Sequence, residues 1–235
     1  MDERRRGRGR SVSEGGVRPY AVDDRAAVRR ICHDTGYMGD PAAWFWRDAE
    51  SFADLWSSYY TDREPESAFV VEQGGRVTGY LLGCRDTAAT GGWARPIRRH
   101  LFGRGLLVRP GTAGTLWRVG ADLVGDKVQG RPATVGEVHD PRWPAHLHID
   151  LLPEARGQGF GRELVDAWLG RLRGDGVAGC HLGTWAENAT AIAFFEAMGF
   201  RRQGEPVPMP GIRSPSGERH HSLLMVQDLA PGSHR

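Results

Sequence analysis

The sequence predicts a mixed α/β fold, a central sheet of about seven strands with helices on its faces. Three observations carry this reading. Strand-like and helix-like periodicities alternate from Val17 to Val226. Gly74-Gly75 separates two apolar runs, as a tight hairpin does. An alternating segment at 146–152 runs into a glycine-rich turn that opens an amphipathic helix.

Residues 1–15 (MDERRRGRGRSVSEG) are charged and glycine-rich with almost nothing to bury, and they read as a disordered basic arm. One domain is expected over 16–230, with a tail at 231–235. Val17–Val22 reads as a strand, and Asp23 or Asp24 caps a helix running to about His33. A second helix spans 51–60, opened by Ser51. Ser67–Val71 and Val77–Gly83 are the two hairpin strands.

Residues 84–141 break the pattern. They are rich in Gly, Pro, Arg and Trp, and a structureless loop of that length is unusual in a compact domain. An insertion with its own short elements is expected, with helical pieces at Arg95–Phe102 and Thr115–Leu123. Order returns at 146–152 (HLHIDLL), where Leu147, Ile149 and Leu151 face one way and His146, His148 and Asp150 the other. Phe160, Leu164, Trp168, Leu169 and Leu172 then recur at helical spacing until Gly174-Asp175-Gly176. A strand follows at Cys180–Trp185, then a helix at 188–198 closed by Gly199. Two last strands, Phe200–Gln203 and Ser222–Val226, flank a loop rich in Pro and Gly.

Composition limits the function classes. A chain of 235 residues with 40% hydrophobic content builds a real core. A net charge of +2 is too small to argue for nucleic acid. Three widely spaced cysteines (Cys32, Cys84, Cys180) do not form a disulfide framework and fit a cytoplasmic protein. No apolar run reaches the ~18 residues of a membrane span, and the arginine-rich start has no apolar stretch behind it, so it does not read as a secretory signal.

The strongest chemical signal is Arg156-Gly157-Gln158-Gly159-Phe160-Gly161. A glycine turn opening a helix presents backbone N–H groups and the positive end of the helix dipole, which suits a pyrophosphate. Alternate glycines leave room for phosphate oxygens beside the backbone. The turn lacks the Gly-Lys-Ser/Thr ending of a P-loop, and its spacing is not the dinucleotide fingerprint.

The segment LHIDLLPEARGQGFGRELVDAWL resembles the acetyl-CoA-binding motif of the GCN5-related N-acetyltransferase (GNAT) family. ENATAIAFFEAMGFRR resembles the family's second motif, an Asn followed by an aromatic helix and Gly-Phe. The resemblance implies a mostly antiparallel GNAT-like sheet with a long insertion before the fourth strand. It implies acetyl-CoA as cofactor, with pantetheine on the backbone of Leu151 and Leu152. The amides of Arg156, Gly157, Gln158, Gly159, Phe160, Gly161 and Arg162 would hold the pyrophosphate. Asn188 would contact the cofactor's reactive end, although Asn at a helix start is equally a good cap. A closer similarity links SAFVVEQGGRVTGYLLGCRDT and HLHIDLL to the acetyltransferase-like C-terminal domain of O-GlcNAc hydrolase and its stand-alone relatives.

Acetyl transfer needs a neutral amine, a stabiliser for the oxyanion and a proton for the leaving thiolate. The Leu151 or Leu152 amide is the expected oxyanion donor. Asp150 and His148 are the candidate bases: Asp150 lies nearest the thioester contact, and histidine has the better pKa at neutral pH. The bland alternative is that these groups hydrogen-bond buried neighbours. His146, His148 and Asp150 match a metal-binding facial triad in composition only, and no metal is expected. Where the family often carries a tyrosine that protonates the thiolate, this chain has Phe195 beside the cofactor site. A catalytically silent acetyl-CoA-binding module therefore stays open beside an active N-acetyltransferase.

The expected acceptor is an amine on a small molecule or peptide. Six arginines and no acid between Thr87 and Ala121 point to an anionic or neutral one, if the insertion borders the cleft.

Overall fold

The computed structural model describes residues 15–91, 100, 103–130, 138–214 and 216–229. Seven strands form one sheet in the order β1-β2-β3-β4-β5-β7-β6. They are β1 (Gly15–Pro19), β2 (Ala68–Gln73), β3 (Arg76–Cys84), β4 (Ala145–Leu151), β5 (Gly179–Trp185), β6 (Arg201–Arg213) and β7 (Arg219–Asp228). Every neighbouring pair is antiparallel except β4 with β5. Among the described residues the α-helices with given bounds are α1 (Arg25–Thr35), α2 (Ala49–Arg63), α3 (Ala113–Val128), α4 (Phe160–Gly174) and α5 (Ala189–Ala197).

Alternation along the strands splits the core in two. Leu81, Leu147, Leu182 and Met225 point to one face, where Leu164, Trp168, Leu169 and Leu172 of α4 bury against them with Ile192 of α5. Tyr80 and Leu82 point to the other face and meet Val28 and Ile31 of α1 and Phe52 and Tyr60 of α2. The candidate site lies where these layers part.

Several boundaries differ from the sequence reading. β1 begins at Gly15, paired with Gln73, and ends at Pro19; Val22–Asp24 is a short 3-10 turn. The cap of α2 is Asp48, whose carboxylate accepts from the Ser51 N–H at 2.8 Å, so the helix starts earlier than Ser51 suggested. The loop expected after Gln203 is instead most of β6, despite Pro206, Pro208 and Pro210. β6 is an edge strand that pairs only with β7, so its outward side needs no ladder donors, and its register shifts between Gln203 and Val207. The helix expected at Thr115–Leu123 is present as the longer α3; the one expected at Arg95–Phe102 falls almost wholly outside the described residues.

The insertion also alters the charge expectation. Buried Asp48 takes both Arg104 (3.0 Å) and Arg109 (2.5 Å). Arg118 donates to the Gly211 carbonyl at 3.2 Å and to Thr115 Oγ1 at 3.1 Å. Arg104 and Arg109 thus share a single carboxylate from outside the insertion and Arg118 bonds neutral groups, so all three are tied to the scaffold while net positive charge remains. Arg95, Arg98 and Arg99 lie outside the described residues.

Candidate active site

The site begins with a strand register. β4 and β5 pair at only two positions, Ala145 with Cys180 and His146 with His181. Beyond His146 the parallel strands diverge, and β4 stays paired only to β3 as far as Leu151. Leu152 donates its N–H to Thr78 O at 2.8 Å. In an antiparallel ladder such bonds alternate, so the Leu151 N–H and C=O point the other way, into the opening. Of the two expected oxyanion donors, Leu152 is thus committed to the ladder and Leu151 faces the cleft.

The turn after β4 is shaped as the motif requires. Gly157 (φ +71°) and Gly159 (φ +94°) occupy the left-handed region, and a Cβ at either would meet nothing within 4 Å. Gly159 is the N-cap of α4, whose first N–H groups have no intrahelical acceptor. Space and donors therefore coincide, and the residues present fit a pyrophosphate. Gly161 is needed for a different reason: a Cβ there would stand 3.3 Å from the Phe194 ring and 3.6 Å from Leu151. Phe160 is buried under the turn, Gln158 is exposed and accepts from Gln73 at 3.2 Å, and Arg162 is exposed.

Arg156 has a second task. Its Nε donates to the Leu151 carbonyl at 2.9 Å and an Nη donates to the Gly39 carbonyl at 2.6 Å. Gly39 belongs to the tight turn Tyr37-Met38-Gly39-Asp40, closed by reciprocal Tyr37 and Asp40 backbone bonds, with φ of +52° at Met38 and +94° at Gly39. That turn crosses the mouth of the opening. One end is tied to β4 through Arg156, and Tyr37 at the other packs edge-on against Trp185 of β5, with 5.4 Å between ring centroids.

On the α1–α2 face of β4 the three polar residues take different roles. His146 is 7% exposed, with Nε2 at 2.7 Å from Tyr60 Oη and Nδ1 at 2.7 Å from Thr87 Oγ1, so both ring nitrogens are held structurally. His148 has edge contacts with Trp56 (5.7 Å) and Tyr60 (5.3 Å). Asp150 Oδ2 accepts from Tyr80 Oη at 2.5 Å. Burial opposes the charged form of both ionisable groups with opposite results. It pushes the Asp150 carboxyl up to about 7, only partly offset by hydrogen bonds from Tyr80 and Thr35 and the charge of Arg156. It pushes His148 down to about 4, helped by His181. Burial thus moves His148 away from neutrality and Asp150 toward it, the reverse of their ordinary order.

Asn188 caps α5, its Oδ1 accepting from the Ala191 N–H at 3.1 Å. Phe195 is 6% exposed and packs against Phe194 and Phe200 in the α4–α5 core. The ring facing the turn belongs to Phe194, which the motif reading passed over. Tyr80 and Thr35 were also missed. Tyr80 stands directly across from Asp150 in the β3–β4 register, a pairing visible only once the hairpin and β4 are aligned.

A strand followed by a glycine turn opening a helix is the arrangement the family resemblance implies. Residues 120–200 match the model of the acetyltransferase (GNAT) family. The fold is GNAT-like. The structure is similar to that of SsHAT, at 29% identity over 92% of this chain and 98% of that one, with a TM-score of 0.66. It shares its fold with yncA, a putative acetyltransferase from Salmonella typhimurium solved with its cofactor acetyl-CoA: 17% identity, 93% and 96% coverage, TM-score 0.54. It does so too with a GNAT superfamily phosphinothricin acetyltransferase from Sinorhizobium meliloti in complex with AcCoA, at 18% identity, 94% and 91% coverage and TM-score 0.55. Among the described residues, no helix of this GNAT-like fold is long and apolar enough to cross a membrane.

Proposed function

We propose that the chain is an acetyl-CoA-dependent N-acetyltransferase that moves the acetyl group directly to an amine of a small molecule or peptide. The observation that carries this reading is Asp150: a carboxyl near neutrality, aimed by Tyr80, at the mouth of the β4–β5 split. Burial by itself raises a carboxyl, so it is the position beyond the last β4–β5 pair, together with the Tyr80 contact, that marks Asp150 as the base. Acetyl-CoA, when bound, supplies the acetyl thioester. The N-terminal amides of α4 and the turn Arg156–Gly161 hold its pyrophosphate, and the Leu151 N–H is the donor for negative charge developing on the carbonyl oxygen. Asp150 accepts the proton released by the attacking nitrogen, and Tyr80 steadies the carboxylate. His148, too weak a base at neutral pH, lines the acceptor side with Trp56. Asn188 acts by fixing the start of α5.

The test is thiol release with an amine library. Wild-type turnover should rise with pH through about 7, as Asp150 loses its proton. Asp150→Asn should abolish that limb and lower the rate about 10²-fold while acetyl-CoA affinity holds, since general-base catalysis is worth roughly that much. A variant that keeps both rate and limb would remove Asp150 as base.

One observation favours a second reading, a silent acetyl-CoA-binding module. Phe195 has no proton to donate and lies in the core. The closer similarity to the O-GlcNAc hydrolase domain belongs with this reading; its support is the sequence of β2, β3 and β4. Three free, buried cysteines fit a reducing compartment such as the cytoplasm.

A further inference from the structure

Asp150 lies on one wall of the opening. The opposite wall, where β5 meets β7, carries a polar chain that the proposed chemistry leaves unused. His220 of β7 is only 5% exposed. Its Nε2 is 2.9 Å from Tyr37 Oη, and its Nδ1 is 3.3 Å from Glu187 Oε2. A carboxylate can only accept, so Glu187 favours the proton on Nδ1, which leaves Nε2 as acceptor and makes Tyr37 the donor. Glu187 is itself anchored by His221, through its backbone N–H at 3.0 Å and its Nδ1 at 3.1 Å.

The two ends of this chain differ. Tyr37 stands in the turn that spans the opening, beside Trp185 and the half-exposed Trp44. Glu187 is 37% exposed and reaches solvent. The charged groups around Tyr37 are both acids, Glu187 and Asp40, and with burial they hold its phenol above the usual range. Burial pushes Glu187 up, but its bonds from His221 outweigh this and keep it below the usual range, so it remains a carboxylate. A protonated phenol, a buried imidazole and an exposed carboxylate thus form a hydrogen-bonded line from cleft to water.

Acetyl transfer to an amine involves two protons. An ammonium ion has no free electron pair, so one proton must leave before attack; the second leaves as the new bond forms. Asp150 serves the second. Resting on the reading of the acceptor as an amine, the geometry points to Tyr37, His220 and Glu187 as the relay that removes the first. The acceptor's N–H bond breaks, its electron pair stays on nitrogen, and the proton passes to the Tyr37 oxygen. The Tyr37 hydroxyl proton moves to His220 Nε2. The resulting imidazolium is held by Glu187, and its Nδ1 proton leaves past that carboxylate to water. Tyr37 is the catalytic residue, and His220 and Glu187 position and discharge it.

The experiment follows thiol release from acetyl-CoA by the full chain between pH 6 and pH 10. The probes are spermidine, tryptamine, glucosamine and a lysine peptide. Tyr37→Phe keeps the ring packing and removes only the hydroxyl. At pH 7 it should lose about 10²-fold in kcat/KM for the amine, the usual size of a lost proton-transfer group. The deficit should close toward pH 10, where the free amine supplies its own neutral form, and KM for acetyl-CoA should not move. Glu187→Gln keeps an acceptor for His221 but removes the charge, and should show a smaller loss, about tenfold, with the same recovery at high pH. A deficit that is constant with pH marks a structural role and overturns the relay, as does a Tyr37→Phe profile equal to wild type. Wild-type protein that releases no thiol with any of the amines overturns the N-acetyltransferase reading and the relay with it. Wild-type turnover with an unaltered Tyr37→Phe profile overturns the relay alone.

Discussion

At the residue scale, Asp150 and His148 show how one environment reverses two expectations. Both sit on the same face of β4, and burial favours the neutral form of each, lifting the acid and lowering the base. The Tyr80 hydroxyl works against that rise by donating to the carboxylate. Tyr80→Phe should therefore move the rising limb of the pH–rate profile to higher pH, with acetyl-CoA affinity unchanged; a limb that stays in place would mean Tyr80 does not set this pKa. The shared face of His146, His148 and Asp150 was legible from the alternation of HLHIDLL. Their division of labour was not, because it depends on partners far along the chain. Tyr60 and Thr87 claim His146, and Tyr80 and Thr35 claim Asp150. Tyr37 and His220 are 183 positions apart, and no local pattern joins them.

At the element scale, the glycine turn and α4 were readable almost residue for residue. Phe160, Leu164, Trp168, Leu169 and Leu172 are all buried as the spacing required. Turn and helix are local structures, set by glycine's access to positive φ and by one apolar stripe. β6 was not readable, because tolerance of three prolines depends on which neighbour the strand lacks. Gly159 is where local and functional demands meet. Gly159→Glu places a side chain at φ +94° and a carboxylate in the space read as the phosphate site. The strain should cost about 1–2 kcal/mol, seen as a lower Tm, and calorimetric titration should show acetyl-CoA binding weakened beyond about 10²-fold by like-charge repulsion and lost space. Unchanged affinity would move the pyrophosphate elsewhere.

At the scale of the whole molecule, the two ends of the sheet are fixed differently from its middle. β6 and β7 are clamped to α3 by Arg213 on Asp122 (2.6 Å) and Arg219 on Asp126 (2.6 Å), so the insertion braces the far edge. On the near side, Arg18 joins β1 to β2 through Glu72 (2.7 Å). Between these blocks lies the β4–β5 junction with its two paired positions. Mechanically, the sheet is two stiff blades, β1–β4 and β5–β7–β6, sharing a short hinge at His146 and His181. Within the sheet this seam has fewer paired positions than any other, so the strands should part there before they part elsewhere. Native-state amide exchange should report this directly. The Ile149 and Leu151 amides should exchange faster than those of Leu81 or Leu182, and should slow when acetyl-CoA spans the gap; equal protection throughout would mean the blades move as one. On the proposed function, the breadth of acceptors that fit would be governed by how far the hinge opens, and a substitution at His181, remote from the site read as reacting, should alter selectivity by changing the angle between the blades.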